Sequence, residues 1–384
     1  MTRRKRRKIR GTMKICLLLV LPLAVGAVIS AVPSLYQTSR LSRGKTNAAR
    51  MADEEKETRI YSIPERADDI LSGSLILSEG YGAIAETASA GVVKLKSPLE
   101  MFSDDPGEKP YPTEWGEGGD IIRNTYPHYT GTTFIDLPGG GQVNNKTSVP
   151  NEELLKESVI FPDFSIEDTS EPQVLIYHTH TCESFEPYVR DKFDPSFNYR
   201  TTDETKNVVM VGDAIQAELE AKGIGVIHVR TIHDHPSYNG AYDRSRASIV
   251  PILEQYPSIK VVLDIHRDAI GNESTANQPY VDIGGREAAQ IMIISGCDDG
   301  TMGMPDHMKN FHFACSLQEK LESDHKGLTR PVLFDYRCYN QDLTTGSLLI
   351  EVGSHGNTLE QVQYSGQLIG SSLGELLCSM KEKK

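Results

Sequence analysis

Along the second half of the chain, apolar residues fall into short β-branched runs separated by stretches with helical spacing. QVLIY (173–177), GVIHV (225–229), IKVVLDI (259–265), QIMIIS (290–295) and SLLIEVG (347–353) each predict a strand. Residues 203–223 place apolar side chains three and four apart and end in Gly223, a usual helix stop. Residues 240–255, 306–325 and 358–379 also read as helices. Strands alternating with helices imply crossover units, so the expected fold is α/β, a mostly parallel sheet flanked by helices.

The first 165 residues are patterned differently. Ile15 to Val32 is an uncharged apolar run of 18 residues, near the lower limit for a helix that crosses a bilayer. Pro22 and Gly26 are tolerable inside such a helix. Beyond it come MADEEKETR, DDPGEKPYPTEWGEGGD and LPGGGQVNNKTSVPNEE, rich in charge, Pro and Gly. Such stretches bury too little apolar area to offset their conformational entropy. The expected organisation is a basic tip at 1–14, a transmembrane anchor at 15–32, a largely disordered extracytoplasmic stalk at 33–165 and a catalytic domain at 166–384.

Charge sharpens this division. The formal net charge is -13, from 40 Lys and Arg against 53 Asp and Glu, yet residues 1–14 hold eight of the cations and no acid. The remainder therefore carries 32 basic and 53 acidic residues, or -21. A basic flank before an apolar run keeps the N-terminus cytoplasmic, so a single-pass protein of the cell membrane is expected, with everything past residue 33 outside. Topology accounts for the cluster without nucleic acid as a partner. A cleavable signal peptide has the same polarity, but the run exceeds a usual signal core. Cys16 lies in the apolar run, and Cys182, Cys297, Cys315, Cys338 and Cys378 show no paired spacing. A disulfide framework and a cysteine zinc site are both excluded on that basis.

Polar clusters follow three of the predicted strands, where open α/β sheets gather ligands. His178-Thr179-His180-Thr181-Cys182-Glu183-Ser184 follows the first, His266-Arg267-Asp268 the third, and Glu351, Gly353, Ser354 and His355 lie in and after the last. Two histidines and a carboxylate form a favoured catalytic zinc shell, and a second carboxylate can take a proton from water. The candidates are His180 or His178, then His266, with Glu183 or Glu204 as carboxylate ligand and Glu351 as base. Arg267 is a candidate for a substrate carboxylate. The loop His233-Asp234-His235-Pro236-Ser237-Tyr238-Asn239-Gly240-Ala241-Tyr242 is either a surface turn or a substrate-positioning element, with His233, Asp234 and Tyr238 as its candidate residues. Cys182 as nucleophile lacks an assigned base, and Ser184 lacks the G-x-S-x-G elbow.

VLIYHTHTCESF, NVVMVGDAIQAELEAKGIGV, HDHPSYNGAYDRSR, IKVVLDIHRDA and LLIEVGSHGNTLEQ, in that order, resemble the stage II sporulation protein P family over roughly residues 165–380. That family is similar to the zinc-dependent N-acetylmuramoyl-L-alanine amidases. The resemblance implies a peptidoglycan hydrolase of sporulation and engulfment, with amidase activity on stem peptides and endopeptidase activity on cross-links. It also implies Zn2+ as cofactor, and stage II sporulation protein D (a lytic transglycosylase) and stage II sporulation protein M as partners. His180 matches the wider group's first zinc ligand, though threonines replace the flanking glycines. His266 matches the second, and Glu351-Val352-Gly353 matches the catalytic Glu-x-Gly. For the carboxylate ligand the wider group points to Glu204 at the next helix start, whereas the family motif points to Glu183, which is preferred. Two rivals remain: a non-catalytic wall-binding module of the same fold, and a zinc hydrolase of another wall substrate, such as a carbohydrate deacetylase.

Overall fold

The chain is represented by a computed structural model that describes residues 107–381. The expectations for the basic tip, the membrane segment and the stalk up to residue 106 lie outside the described residues. Among the described residues no helix is long and apolar enough to cross a membrane.

Thirteen strands and five helices follow one another in the order β1 (Gly119–Asn124), β2 (Phe134–Asp136), β3 (Gln142–Asn145), α1 (Asn151–Glu157), β4 (Pro172–Tyr177), β5 (Lys192–Phe193), α2 (Val209–Ala221), β6 (Gly225–His228), α3 (Ala241–Gln255), β7 (Val261–Asp268), β8 (Gly271–Asn272), β9 (Thr275–Ile283), β10 (Arg286–Ala289), β11 (Ile291–Gly296), α4 (His307–Asp324), β12 (Val332–Asp335), β13 (Gly346–Ser354) and α5 (Leu359–Ser379). The main sheet has eight strands in the order β2-β3-β12-β11-β13-β7-β4-β6. Its central strands are largely apolar on both faces: Val174, Leu175 and Ile176 in β4 and Val261 to Ile265 in β7 are all buried, with Asp264 the one polar residue among them. This is the pattern of strands covered by helices on either side.

The strands and helices read from periodicity recur with ends shifted by a few residues, and three expectations are corrected. The sheet is mixed rather than mostly parallel. β13 runs antiparallel to β11 and parallel to β7, so β3, β12 and β11 point opposite to β13, β7, β4 and β6. A smaller sheet, β10-β9-β1-β5 with β8 beside β9, adds further antiparallel pairs. Secondly, α2 begins at Val209 rather than 203. The Asp203 carboxylate accepts from Thr205 N–H at 2.9 Å, and Asn207 Oδ1 accepts from Val209 N–H at 3.0 Å. Short polar side chains that bond their own backbone favour turns over helix, which is why the helix starts only after Asn207.

Thirdly, the region expected as stalk is folded over 107–165. β1 pairs in parallel with β9, and the β2–β3 hairpin extends the main sheet through β12. Ile135, Leu137, Val143 and Leu154 are buried in the principal core. These few apolar residues dock on a sheet made by distant segments, so local composition does not reveal them.

α5 opens with a capping box: Thr358 Oγ1 accepts from Gln361 N–H while the Gln361 side chain accepts from Thr358 N–H. Its Gly366, Gly370 and Gly374 recur every four residues along the face turned to α2. A Cβ on Gly370 would lie 2.8 Å from the Ile215 carbonyl oxygen and 3.0 Å from Ile215 Cα, so the two helices approach at backbone distance. Gly370→Val should overpack this seam and lower the unfolding free energy by about 1–3 kcal/mol, read as a lower urea midpoint; an unchanged midpoint would mean that the helices are free to separate.

Candidate functional site

β4, β7 and β13 are adjacent and parallel, with Tyr177 opposite Asp264 and His266 opposite Glu351. Their carboxyl ends therefore open on one edge of the sheet, and the segment after β4 meets the last residues of β7 there. Asp264 and His266, two apart on one strand, face the same side. Asp264 is 1% exposed. It accepts from Thr179 N–H at 2.8 Å and from the Thr179 hydroxyl at 2.7 Å. Its Oδ1 also lies 2.8 Å from His266 Nε2, close enough for ion pairing but poorly aligned for a directed hydrogen bond. One carboxylate thus joins the turn that carries His180 to the strand that carries His266.

His180, Glu183 and His266 come together at this edge. Glu183 Oε2 accepts from Arg267 N–H at 3.1 Å and stands 3.4 Å from His266 Nδ1. His180 packs edge-on to His266 with ring centres 5.2 Å apart, and lies flat on Tyr238 at 4.3 Å. Its Nδ1 is buried without a hydrogen-bond partner. Glu351 is partly buried, and its Oε2 is enclosed without a partner.

Burial lowers the His180 imidazole to about 3, so it is neutral and keeps a lone pair. For Glu183 burial works upward, but Arg267, His266 and Arg200 outweigh it and hold the carboxylate below its usual range. Burial also opposes charge on His266, yet Asp264 and Glu183 lift it well above the ordinary histidine value. Glu351 is pushed up to about 8, by burial first and then by Asp268. Two carboxyl groups at one site are thereby driven apart in acidity, a pattern found where acid–base work is divided.

The structure separates residues that spacing left as alternatives. His178 is fully buried, and its Nδ1 donates to the Ile265 carbonyl at 2.9 Å. Its Nε2 therefore accepts from His228 Nε2, 2.8 Å away, and no lone pair is left for an ion. Glu204 lies before α2 rather than at its start, half exposed and paired with Arg230 at 3.5 Å. Of the four substrate candidates, Arg267, His233 and Asp234 are buried and engaged. The Arg267 guanidinium donates to the carbonyls of Ser184, Tyr199 and Asp268. His233 donates to the His178 carbonyl and faces Ser248 Oγ. Asp234 accepts from Cys182 N–H and Arg200. Tyr238 presents an exposed ring, with the Arg200 guanidinium 4.4 Å from its centre.

Three residues of the site escaped sequence reasoning. Asp264 was legible in principle, because Asp-x-His on a strand puts both side chains on one face. Tyr242, stacked between His266 and Tyr339, lies at the end of the polar aromatic loop without having been singled out in it, and Arg200, which pairs with both Asp234 and Glu183, had no local signal.

Among the described residues no group of three His, Cys, Asp or Glu side chains is arranged to hold an ion as it stands. The donors nonetheless suit one. Two ligands of a tetrahedral zinc with bonds of about 2.0–2.1 Å sit roughly 3.3–3.4 Å apart, which is the His266–Glu183 separation of 3.4 Å. The orphaned Nδ1 of His180 and the carboxylate behind His266 complete a set in which one imidazole nitrogen ligates while the other is held by a carboxylate.

Fold and site together define an α/β protein with a two-histidine, two-carboxylate cluster at the ends of three neighbouring parallel strands. The family model of Stage II sporulation protein P matches residues 138–373, and the chain belongs to that family. It is 28% identical over 214 residues to Stage II sporulation protein P of Bacillus subtilis (strain 168), a match that spans 53% of this chain and half the length of that relative. Solved structures with partial likeness include the N-acetylmuramoyl-L-alanine amidase AmiC2 of Nostoc punctiforme, at 12% identity and a TM-score of 0.32 over 55% of this chain and 98% of that one. Another is the CwlD amidase of Clostridioides difficile in complex with the GerS lipoprotein, at 12% identity and a TM-score of 0.33 over 54% and 99%.

Cys182, inside the histidine motif, is 1% exposed, and burial together with Asp234 pushes its thiol far above the usual range. It should stay unlabelled by iodoacetamide at pH 8 in the folded protein and react once urea is added. Peptide mapping that finds native labelling at Cys182 would restore it as a nucleophile.

Proposed function

We propose that this chain is a zinc-dependent peptidoglycan hydrolase of sporulation, acting as N-acetylmuramoyl-L-alanine amidase and cross-link endopeptidase. The observation that carries the reading is the convergence of His180, Glu183 and His266 beside the buried carboxyl of Glu351. Membership of the sporulation family supplies the setting. In this reading residues 15–32 anchor the protein in the cell membrane with the described body outside, where it works on septal wall beside stage II sporulation proteins D and M.

His180, Glu183 and His266 would hold the zinc. When bound, the ion supplies Lewis acidity to a substrate carbonyl and to water. Glu351 takes the proton of the attacking water and delivers it to the leaving amine, so that the amide C–N bond breaks as the new C–O bond forms. The cation's charge favours the ionised form of Glu351, countering the burial that raises its pKa. Asp264, beside His266 Nε2, would hold the ring with Nδ1 toward Glu183. Tyr238, flat against His180, shields one side of the site and offers a ring to substrate.

Full-length protein should contain about one zinc per chain and release stem peptides from purified sacculi. Glu351→Gln should lower kcat by roughly 10²–10⁴-fold with zinc retained. His180→Ala should lose the metal by elemental analysis, whereas Glu204→Gln should keep both metal and activity. Full activity in Glu351→Gln would overturn its role as base. A protein that binds no added zinc and leaves sacculi intact would favour the wall-binding scaffold, and release of acetate rather than peptide would favour a deacetylase.

A further inference from the structure

The buried arginines around the site differ in one respect. Arg267 places its guanidinium on three carbonyls, and Arg200 pairs with Asp234 and Glu183. Arg330, on the segment between α4 and β12, is 7% exposed. Its backbone is fixed by two hydrogen bonds: its N–H donates to the Ile291 carbonyl at 2.7 Å and its carbonyl accepts from Gln318 at 3.1 Å. Nη1 donates to Asp268 Oδ2 at 2.9 Å. Nε and Nη2 are buried and have no partner, and among the described residues no other arginine has a buried N–H left in that state.

Nε and Nη2 form the side-on edge of a guanidinium, two parallel N–H groups whose spacing matches the two oxygens of a carboxylate. Buried polar groups are almost always paired, and an open edge of a charged group needs an explanation in terms of what fills it. The location supplies one. Asp268 is the last residue of β7, two after His266, and it pairs across the bulge of β13 with Ser354, three residues after Glu351. Arg330 and Asp268 both act electrostatically on Glu351. The Tyr126 ring centre is 5.9 Å from the Arg330 guanidinium carbon, against 3.9 Å for Arg286 on Tyr364 and 4.4 Å for Arg123 on Tyr280. The contact with the Tyr126 ring is therefore looser than those of Arg286 and Arg123 with their rings. Asp268 takes one end of Arg330, and the Nε/Nη2 end is left without a protein partner.

We propose that the Nε/Nη2 edge of Arg330 is a carboxylate subsite that selects substrate: it takes a free carboxylate of the peptide on which Glu351 acts and rejects the corresponding carboxamide. The guanidinium then bridges Asp268 on one edge and substrate on the other. The subsite deepens the hydrolase reading and rests on it. It makes Arg330 a specificity residue acting through binding rather than through the proton transfer assigned to Glu351.

The test uses muramoyl peptides in which each free carboxylate in turn is replaced by carboxamide. With the full-length wild-type protein, one of these replacements should raise KM by roughly 10- to 100-fold, the range of a charge-assisted pair, with kcat little changed. Arg330→Lys keeps the charge but lacks the fork, and should lose most of that discrimination. Calorimetric binding of the same peptides to full-length Glu351→Gln should show the same preference without turnover. Equal KM values for all peptides with the wild type, or wild-type discrimination in Arg330→Lys, would overturn the subsite. Should Arg330→Lys fail to fold, the wild-type comparison decides alone. Hydrolysis without discrimination removes the subsite and leaves the hydrolase, whereas discrimination in binding with no hydrolysis by the wild type removes the hydrolase and leaves the subsite.

Discussion

Asp264 holds the site together. It is the polar exception in an apolar central strand, and it collects the Thr179 N–H, the Thr179 hydroxyl and the His266 ring from two chain segments more than eighty residues apart. Hydrogen bonds to an ionised carboxylate contribute about 1.5–3 kcal/mol each, and an unpaired buried carboxylate is strongly unfavourable. The turn after β4 is thereby tied to the end of β7. The Thr179 hydroxyl continues the chain to Ser245 in α3, and Asn340 reaches the same Ser245 from beyond β12. Helix, strand and loop meet on this one anchored turn, and the position of His180 follows from it.

Around that anchor, charges are buried in a way that leaves the useful lone pairs unused. Glu183 is held by Arg267 and Arg200, and Arg200 is shared with Asp234, so these cations hold the Glu183 carboxylate in its ionised form. His178, His233 and Arg267 serve the framework, each with its donors taken by carbonyls. Among the described residues, the buried atoms left without a hydrogen-bond partner include the Nδ1 of His180, the Nε2 of His266, the Oε2 of Glu351 and one edge of Arg330, with single oxygens of Asn124, Asn144, Ser295 and Gln318 elsewhere. Those on His180, His266, Glu351 and Arg330 gather around one edge of the sheet, and buried polar groups left open in one place need a partner to account for them.

This division explains which parts were legible in the sequence. Strands rich in Val, Ile and Leu with polar residues at their ends located His180, His266 and Glu351 correctly at one edge of the sheet, because that inference needs only strand direction and period. His178 and His180 have the same period and cannot be told apart by it; the difference lies in His228, fifty residues later, which takes the His178 lone pair. Glu204 looked well placed only while α2 was expected to start at 203, and the local bonding of Asp203 and Asn207 removed that start. The antiparallel course of β13 beside β11 was hidden for another reason: strand direction depends on where a strand inserts, and both orientations read alike as apolar runs.

The Glu351-Val352-Gly353 pattern shows how a short motif becomes geometry. Up to Glu351, β13 is in register with β7, and the register shifts between Glu351 and Ser354. Gly353 sits at φ 64°, a left-handed conformation that other residues adopt with strain, and a Cβ there would approach Asn357 Oδ1 to 2.6 Å. That oxygen accepts from Ser354 N–H at 2.9 Å, and the Asn357 amide also donates to the Pro279 carbonyl and to Gln361 in the capping box of α5. Gly353 therefore lets the strand shift register after the carboxylate, and Asn357 fastens its end at Ser354 to the next helix. A larger residue at 353 would have to push that fastening away, and Glu351, one pleat back, would lose the rigid end that keeps its carboxyl beside His266. In this motif the glycine contributes no side chain; it sets where the strand changes register, and so what holds the chain just beyond Glu351.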